Sequence, residues 1–500
     1  MRLFVGILLT LSVLLAPPMG ASAGQADMFG VGGAAMGRGN GGVGLSNEAA
    51  SLFYNPAGLA LTPFDSFSFG GQLAFPDFDG VEGVEWADGR SGDVMEQALP
   101  PHGLYLALVK RIAPPVRFGL AYTHPGKGFF YFEQEDPYVP SMVRWRNRAH
   151  RMALYMGVSV EPTAGLMLGV SVEFTAHARL TVDYSWEGST DTDDGSAVAL
   201  ANLRMAEFHI KPALRPILGL LVDPGQLAGR PDIGLRFGAT YRNPIYVALD
   251  PTELTMDLSD PAVLDPIFTL VDKVRATAVL TLIDFYTPRQ VSLGLALDRP
   301  RFAGYVDVTW NQFSKMIPNS GVIAEGREDA GGMEVHWNFP DDWVASYSLV
   351  DGRQLAPGAF RDTWTVRGGV EIRLARGGTV VAAPGGAPTV GRQAGVTIRA
   401  GASYDPAMVA PQSGPTNLID SPVVSGTAGV GLYAPDPMGR LAGMGSIDLA
   451  VQVHGALPAS YDKDLSAVPD GVAMPVTWGQ TVEWGGGVMV VAALTGTLRF

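Results

Sequence analysis

Seven histidines, at positions 102, 124, 150, 177, 209, 336 and 454, and no cysteine are what this chain offers to nucleophilic or metal chemistry. A hydrolytic serine needs a histidine to activate it, and no G-x-S-x-G turn presents one here. No His, Asp and Glu spacing suits a metal ion, and without cysteine there are neither disulfides nor thiolates. His177 reads as one polar position of a strand. The chain therefore reads as a binding protein rather than an enzyme, with no cofactor and no metal. Its useful charges are arginines: Arg179, Arg236, Arg367, Arg373 and Arg399 each stand between apolar neighbours. Guanidinium groups on one face of a strand would hold a ligand carboxylate in an otherwise greasy site, or pair with Glu173, Asp183 or Glu371.

The elements that carry these residues repeat at period two. In 164–186, "AGLMLGVSVEFTAHARLTVDYSW", the even positions are apolar and end in Tyr184 and Trp186, while the odd ones include Glu173, His177, Arg179 and Asp183. A helix repeats its faces at 3.6 residues and cannot give this pattern. In 301–312, Phe302, Val306, Val308 and Trp310 oppose Arg301, Asp307, Thr309 and Asn311. In 364–374, Trp364, Val366, Val370, Ile372 and Leu374 oppose Thr365, Arg367, Glu371 and Arg373. The stretch 396–404 behaves alike, and further strands are expected near 65–75, 103–112, 116–124, 233–241, 291–298, 424–433 and 447–454, with Gly, Pro, Asp and Asn between them.

A soluble β-sandwich alternates too. Two features favour a membrane barrel. Trp and Tyr sit at the ends of apolar faces, as in an interfacial girdle. The chain also finishes on "VMVVAALTGTLRF", where Val488, Val490, Ala492, Leu494, Leu498 and Phe500 share a face. No later segment offers 18 uninterrupted apolar residues, since "ILGLLV" at 217–222 lies between Pro216 and Pro224. Charged residues make up only 17% of the chain, and a formal charge of −14 argues against nucleic acid as a partner.

The N-terminus has its own grammar. Arg2, the apolar "LFVGILLTLSVLLA" and Ala21-Ser22-Ala23 form a signal peptide over residues 1–23; a membrane anchor is the alternative reading. Then comes "FGVGGAAMGRGNGGVG", too rich in glycine for an ordinary helix or strand, followed by "GLSNEAASLFYNPAGLA". A disordered linker would also read this way. A phosphate-binding turn would need a preceding strand and a following helix, and a cleaved leader precedes it instead.

This opening, with "YTPRQVSLGLALDRPRFAGYVDVTWNQFSKM" at 286–316, "DTWTVRGGVEIRL" at 362–374 and "VTIRAGASYDPAMVAPQSGPTNLID" at 396–420, resembles the FadL-type outer-membrane transporters of long-chain fatty acids and other hydrophobic compounds. The resemblance implies an all-β fold, a transmembrane antiparallel barrel of about fourteen strands over 63–500, with 24–62 folded into the lumen as a hatch. Asn55, Pro56 and Ala57 match the family's hatch motif. It further implies passive uptake in the outer membrane of a Gram-negative bacterium, through a loop site, a lumen site and a lateral exit at a kink of the third strand.

Pro125, Gly126 and Gly128 suit such a kink, and equally suit a hairpin turn. Long outer loops are expected near 187–231 and 249–285, where Leu218, Leu221, Phe268 and Leu270 would line an apolar groove or pack as a cap. The expected partners are a hydrophobic ligand, outer-membrane lipid, and the barrel-assembly machinery through the strand ending at Phe500. Some barrels of this build act instead as structural partners in secretion or surface assembly, and that reading stays open.

Overall fold

The computed structural model describes residues 28–46, 48–85, 91–94, 102–125, 141–142, 144, 152–190, 197–248, 252–258, 271–280, 283–315, 331–337, 344–348, 360–375, 380–381, 389–390, 394–409, 418–435, 444–462 and 481–500. Fourteen strands close into an antiparallel barrel. They are β1 (Ser66–Phe78), β2 (His102–Ala113), β3 (Val116–Pro125), β4 (Ala153–Thr163), β5 (Leu166–Thr190), β6 (Ala197–Val222) and β7 (Leu235–Arg242), then β8 (Gln290–Arg299), β9 (Phe302–Asn311), β10 (Thr363–Ala375), β11 (Gly395–Asp405), β12 (Val423–Pro435), β13 (Met444–Ala456) and β14 (Gly487–Arg499). Each strand pairs with its neighbour in sequence, and β1 pairs with β14 from Ser66↔Arg499 to Phe78↔Gly487, so the wall has no free edge.

Alternation decides which side chains face where. Along β13, Ile447, Leu449, Val451 and Val453 are 44–51% exposed, while Asp448, Ala450, Gln452 and His454 between them are buried. β4 repeats this, with Leu154, Met156 and Val158 outward against Tyr155 and Ser159 inward. β10 places Trp364, Val366, Val370, Ile372 and Leu374 outward. A continuous apolar exterior round a closed ring is what a bilayer requires, because backbone polar groups must all be satisfied within the wall. No helix among the described residues is long and apolar enough to cross a membrane.

Two expectations about loops are corrected. Much of 187–231 is wall: β5 and β6, 25 and 26 residues long, pair along their whole length out to Thr190↔Ala197 and project past the other strands. The run at 217–222 alternates like any strand, with Ile217 and Leu221 buried and Leu218 and Leu220 facing out. Within 249–285, residues Thr252–Leu258 and Val271–Leu280 form a hairpin that pairs onward with Gly331–Trp337. Phe268 and Leu270 lie outside the described residues.

Residues 28–46 and 48–62 pack against the inner face of the wall, and their regular pieces include α1 (Gly33–Gly37), α2 (Ser51–Tyr54) and a 3₁₀ turn (Pro56–Leu61). Almost all are buried. The fit depends on glycine in the wall as much as in the segment. A Cβ at Gly369 would overlap the carbonyl of Arg38, and one at Gly169 would overlap Pro56 and Ala57.

Leu449 stands near the middle of β13 on the lipid side. Leu449→Arg is expected to cost about 2–4 kcal/mol in a barrel refolding titration in lipid vesicles. A cost near zero would mean that this face meets water.

Candidate functional site

The N-terminal segment is held by side chains of the wall rather than by strand pairing. Asp307 on β9 accepts from the amides of Gly42 and Val43 at 2.6 and 3.0 Å. Thr495 on β14 accepts from Gly33, at 2.9 Å. Tyr305 donates to the Arg38 carbonyl at 2.6 Å, Thr427 to that of Gly37 at 3.1 Å, and Ser171 to that of Leu52 at 2.8 Å. Arg242 lies over the Phe53 ring, 4.1 Å from its centroid, and donates to the Phe53 carbonyl.

Asn55 is the reverse case, a segment side chain that reaches the wall. Fully buried, it accepts from Ala57 N at 3.1 Å and donates to Val43 O and Leu220 O at 2.7 and 3.0 Å. Pro56 follows at the first position of the turn, where its missing N–H costs nothing. Asn55, Pro56 and Ala57 thus join three pieces of backbone: the 42–44 stretch, their own turn and β6.

Gln452 on β13 gave no sequence signal, yet its Nε2 contacts Phe29 O, Met36 O and Asn40 Oδ1 at 3.1, 3.1 and 2.8 Å. Those three acceptors orient the amide. Its Oε1 then accepts a hydrogen bond from His454 Nε2–H, 3.0 Å away, which leaves His454 Nδ1 to accept from the Ser425 hydroxyl at 2.7 Å. A serine donating to histidine in this way resembles an activated nucleophile. Ser425 and His454 are only 2% and 4% exposed, and their chain of hydrogen bonds ends on Gln452 and the N-terminal segment.

Of the five sequence-predicted arginines, Arg236, Arg373 and Arg399 come together. They line a cavity of about 690 Å³ at the end of the barrel that carries the tight turns and the chain terminus, with Arg38 and Glu48 from the segment and Arg499 from β14. Arg399 donates to Glu371 and Asp448 at 2.8 and 2.7 Å. Arg373 meets Asp298 and Glu371, both at 2.9 Å, and Arg236 meets Asp298 at 3.0 Å. Arg367 sits nearer the loop end and pairs with Asp405 at 3.2 Å. Arg179 belongs to the projecting part of β5, where its side chain lies outside the described residues.

Arg399, Glu371 and Asp448 are 2–8% exposed, and removing one partner of such a pair costs about 3–5 kcal/mol. These charges are already spoken for. Leu221 packs with Ala57 and Met167 inside the wall, while Leu218 faces out. Pro125 ends β3, still paired with Gly103; Gly126 and Gly128 lie outside the described residues. Among the described residues no three His, Asp or Glu side chains converge as a metal ion requires.

No family model matches the chain, and no curated protein does. Among solved structures it is similar to a Pseudomonas aeruginosa FadL homologue, with 15% identity, a TM-score of 0.53, and 97% of this chain and 99% of that one covered. The chain has the FadL fold. It is also similar to the Ralstonia pickettii toluene transporter TbuX (16% identity, TM-score 0.46, 95% of this chain and 99% of that one) and to the P. putida toluene transporter TodX (13%, 0.46, 95% and 99%).

In this FadL-fold chain one charged group of the N-terminal segment titrates abnormally. Glu48 lies 3.7 Å from Arg38, which also reaches Glu371 at 3.5 Å. Burial raises the Glu48 pKa above its ordinary 4.5, and the nearby Arg38 only partly opposes it. A carboxyl whose folded pKa is raised stabilises the fold most when protonated, and that contribution fades as pH climbs from its ordinary value through the raised one. Relative to Glu48→Gln, the wild-type barrel in detergent is expected to lose melting temperature as pH rises above the ordinary value of 4.5. Parallel curves would contradict this.

Proposed function

We propose that the chain is a passive channel in a Gram-negative outer membrane, taking up hydrophobic small molecules, either long-chain fatty acids or uncharged hydrocarbons, after removal of residues 1–23. The observation that carries this reading is a closed barrel, apolar outside, whose lumen is occupied by residues 28–62 held through side chains. Such a lumen differs from the water-filled bore of a porin. A hatch tied by side-chain bonds can shift without unzipping the wall, because no ladder hydrogen bond is spent on it.

In this proposal ligand gathers among the outer loops, occupies a site beside the hatch, and leaves sideways where β3 ends at Pro125, which Gly126 and Gly128 follow in sequence. Proline supplies no ladder donor and glycine pairs weakly, which suits a break in the wall. The arginines bear on ligand class. Arg236, Arg367, Arg373 and Arg399 already have carboxylate partners, so a fatty-acid head would have to displace one of them. An uncharged hydrocarbon displaces none. Lipid surrounds the wall, and the last strand, ending at Phe500, is the segment offered to assembly machinery.

Native mass spectrometry of the detergent-exchanged protein, with a fatty-acid mixture and toluene added in parallel, tests the proposal. Retention of one class is expected and names it. Retention of neither, with a protein co-purifying instead, would replace transport with a scaffold role.

A further inference from the structure

The loop end of the barrel carries a tie that neither the wall nor the N-terminal segment explains. Residues 406–421 connect β11 to β12, yet Ala407, Met408, Val409, Ile419, Asp420 and Ser421 are all at most 5% exposed. A surface connection is normally solvated, because its backbone polar groups need partners. The described ends of this one, 406–409 and 418–421, fold inward. Ile419 belongs to the same apolar cluster as Phe29 of the N-terminal segment and Val423, Trp484 and Met489 of the surrounding chain. Its descent is pinned further by Phe360, before β10, which bridges to Val409, and by Arg361 N, which donates to Met408 O at 2.8 Å.

Onto this inward fold comes a strap from the other side of the ring. Ser141 and Met142, between β3 and β4, pair in parallel with Leu418 and Ile419. Counted round the closed wall, β3 and β12 are five strands apart by the shorter way, through β2, β1, β14 and β13. The pairing therefore spans the mouth rather than joining neighbours. Arg144 completes it. Its Nε donates to Asp420 Oδ1 at 2.7 Å and its Nη2 to Asp420 Oδ2 at 3.1 Å and to Pro406 O at 2.8 Å. The Asp420 side chain is 1% exposed and also accepts from Met408 N at 2.6 Å. A bidentate guanidinium–carboxylate pair out of water is directional, so it holds one geometry and releases it as a unit.

The geometry points to a latch: the Arg144–Asp420 pair and the 141–142/418–419 pairing close the outer mouth over Phe29, and their separation admits ligand to the lumen. The latch rests on the transport reading for its purpose, but its opening does not depend on any ligand.

The absence of native cysteine makes the test clean. In Ile419→Cys, labelling by a membrane-impermeant maleimide reports opening directly. Labelling is expected to be slow in this background and at least tenfold faster when Arg144→Ala or Asp420→Asn is added, with heat-modifiable gel migration confirming that each barrel is folded. Separately, Ser141→Cys with Leu418→Cys joins register partners. Oxidation is expected to stop influx of radiolabelled toluene and oleate into vesicles carrying the protein, and reduction to restore it. Equal labelling in all backgrounds, or influx that is present in the reduced protein and unchanged by oxidation, overturns the latch. Labelling that depends on Arg144 in a protein that moves neither probe keeps the latch and removes the transport reading.

Discussion

A backbone threaded through a closed barrel cannot add a strand to the wall, so the polar groups that its own short turns leave over must be met one at a time by side chains. That constraint shapes the interior. It places Asp307 opposite two amides, Gln452 opposite three acceptors, and Tyr305, Thr427 and Ser171 opposite single carbonyls. It also dictates close approach, with wall glycines such as Gly169 and Gly369 standing where any side chain would strike the segment. An unmet buried polar group costs about 1–3 kcal/mol, and a segment of this length without such partners would not stay in the lumen.

The same constraint separates interior chemistry from exterior chemistry within single strands. β13 spends one face on lipid and the other on Asp448, Gln452 and His454. Charge is concentrated toward the tight-turn end, where Arg236, Arg373 and Arg399 share Asp298, Glu371 and Asp448 in a continuous set of pairs. Such a set braces the wall beneath the segment, and the apolar cluster of Phe29, Ile419 and Met489 fills the space at the opposite end.

Much of this was legible in the sequence because period two survives translation into structure. The faces read at 301–312, 364–374 and 396–404 are the faces of β9, β10 and β11, and Trp364 and Phe500 point outward as their parity says. The run at 217–222 misled for a physical reason: both of its faces are apolar, one meeting lipid and one meeting Ala57 and Met167, so composition hid the alternation. β4 carries little alternation for a similar reason, since Ala153, Tyr155 and Gly157 inside differ little in polarity from Leu154 and Met156 outside. The arginine candidates were legible, and so was Glu371 as a partner for Arg373 and Arg399, but not Asp298, Asp405 or Asp448. Glu371 meets Arg399 through cross-strand register, and Asp298 serves arginines on β7 and β10 at once; register and barrel closure decide both. Gln452, Ser425 and His454 left no local signature at all, because their partners lie some 400 positions away or across the ladder.

The proposed role requires that the filled lumen pass hydrophobic molecules and not water-soluble ones. The most direct measurement is the paired flux of toluene and of a small sugar through the same reconstituted vesicles. Toluene influx above that of protein-free vesicles, with no sugar influx, is expected. Sugar influx at a porin-like rate, or toluene influx no faster than without protein, would contradict it.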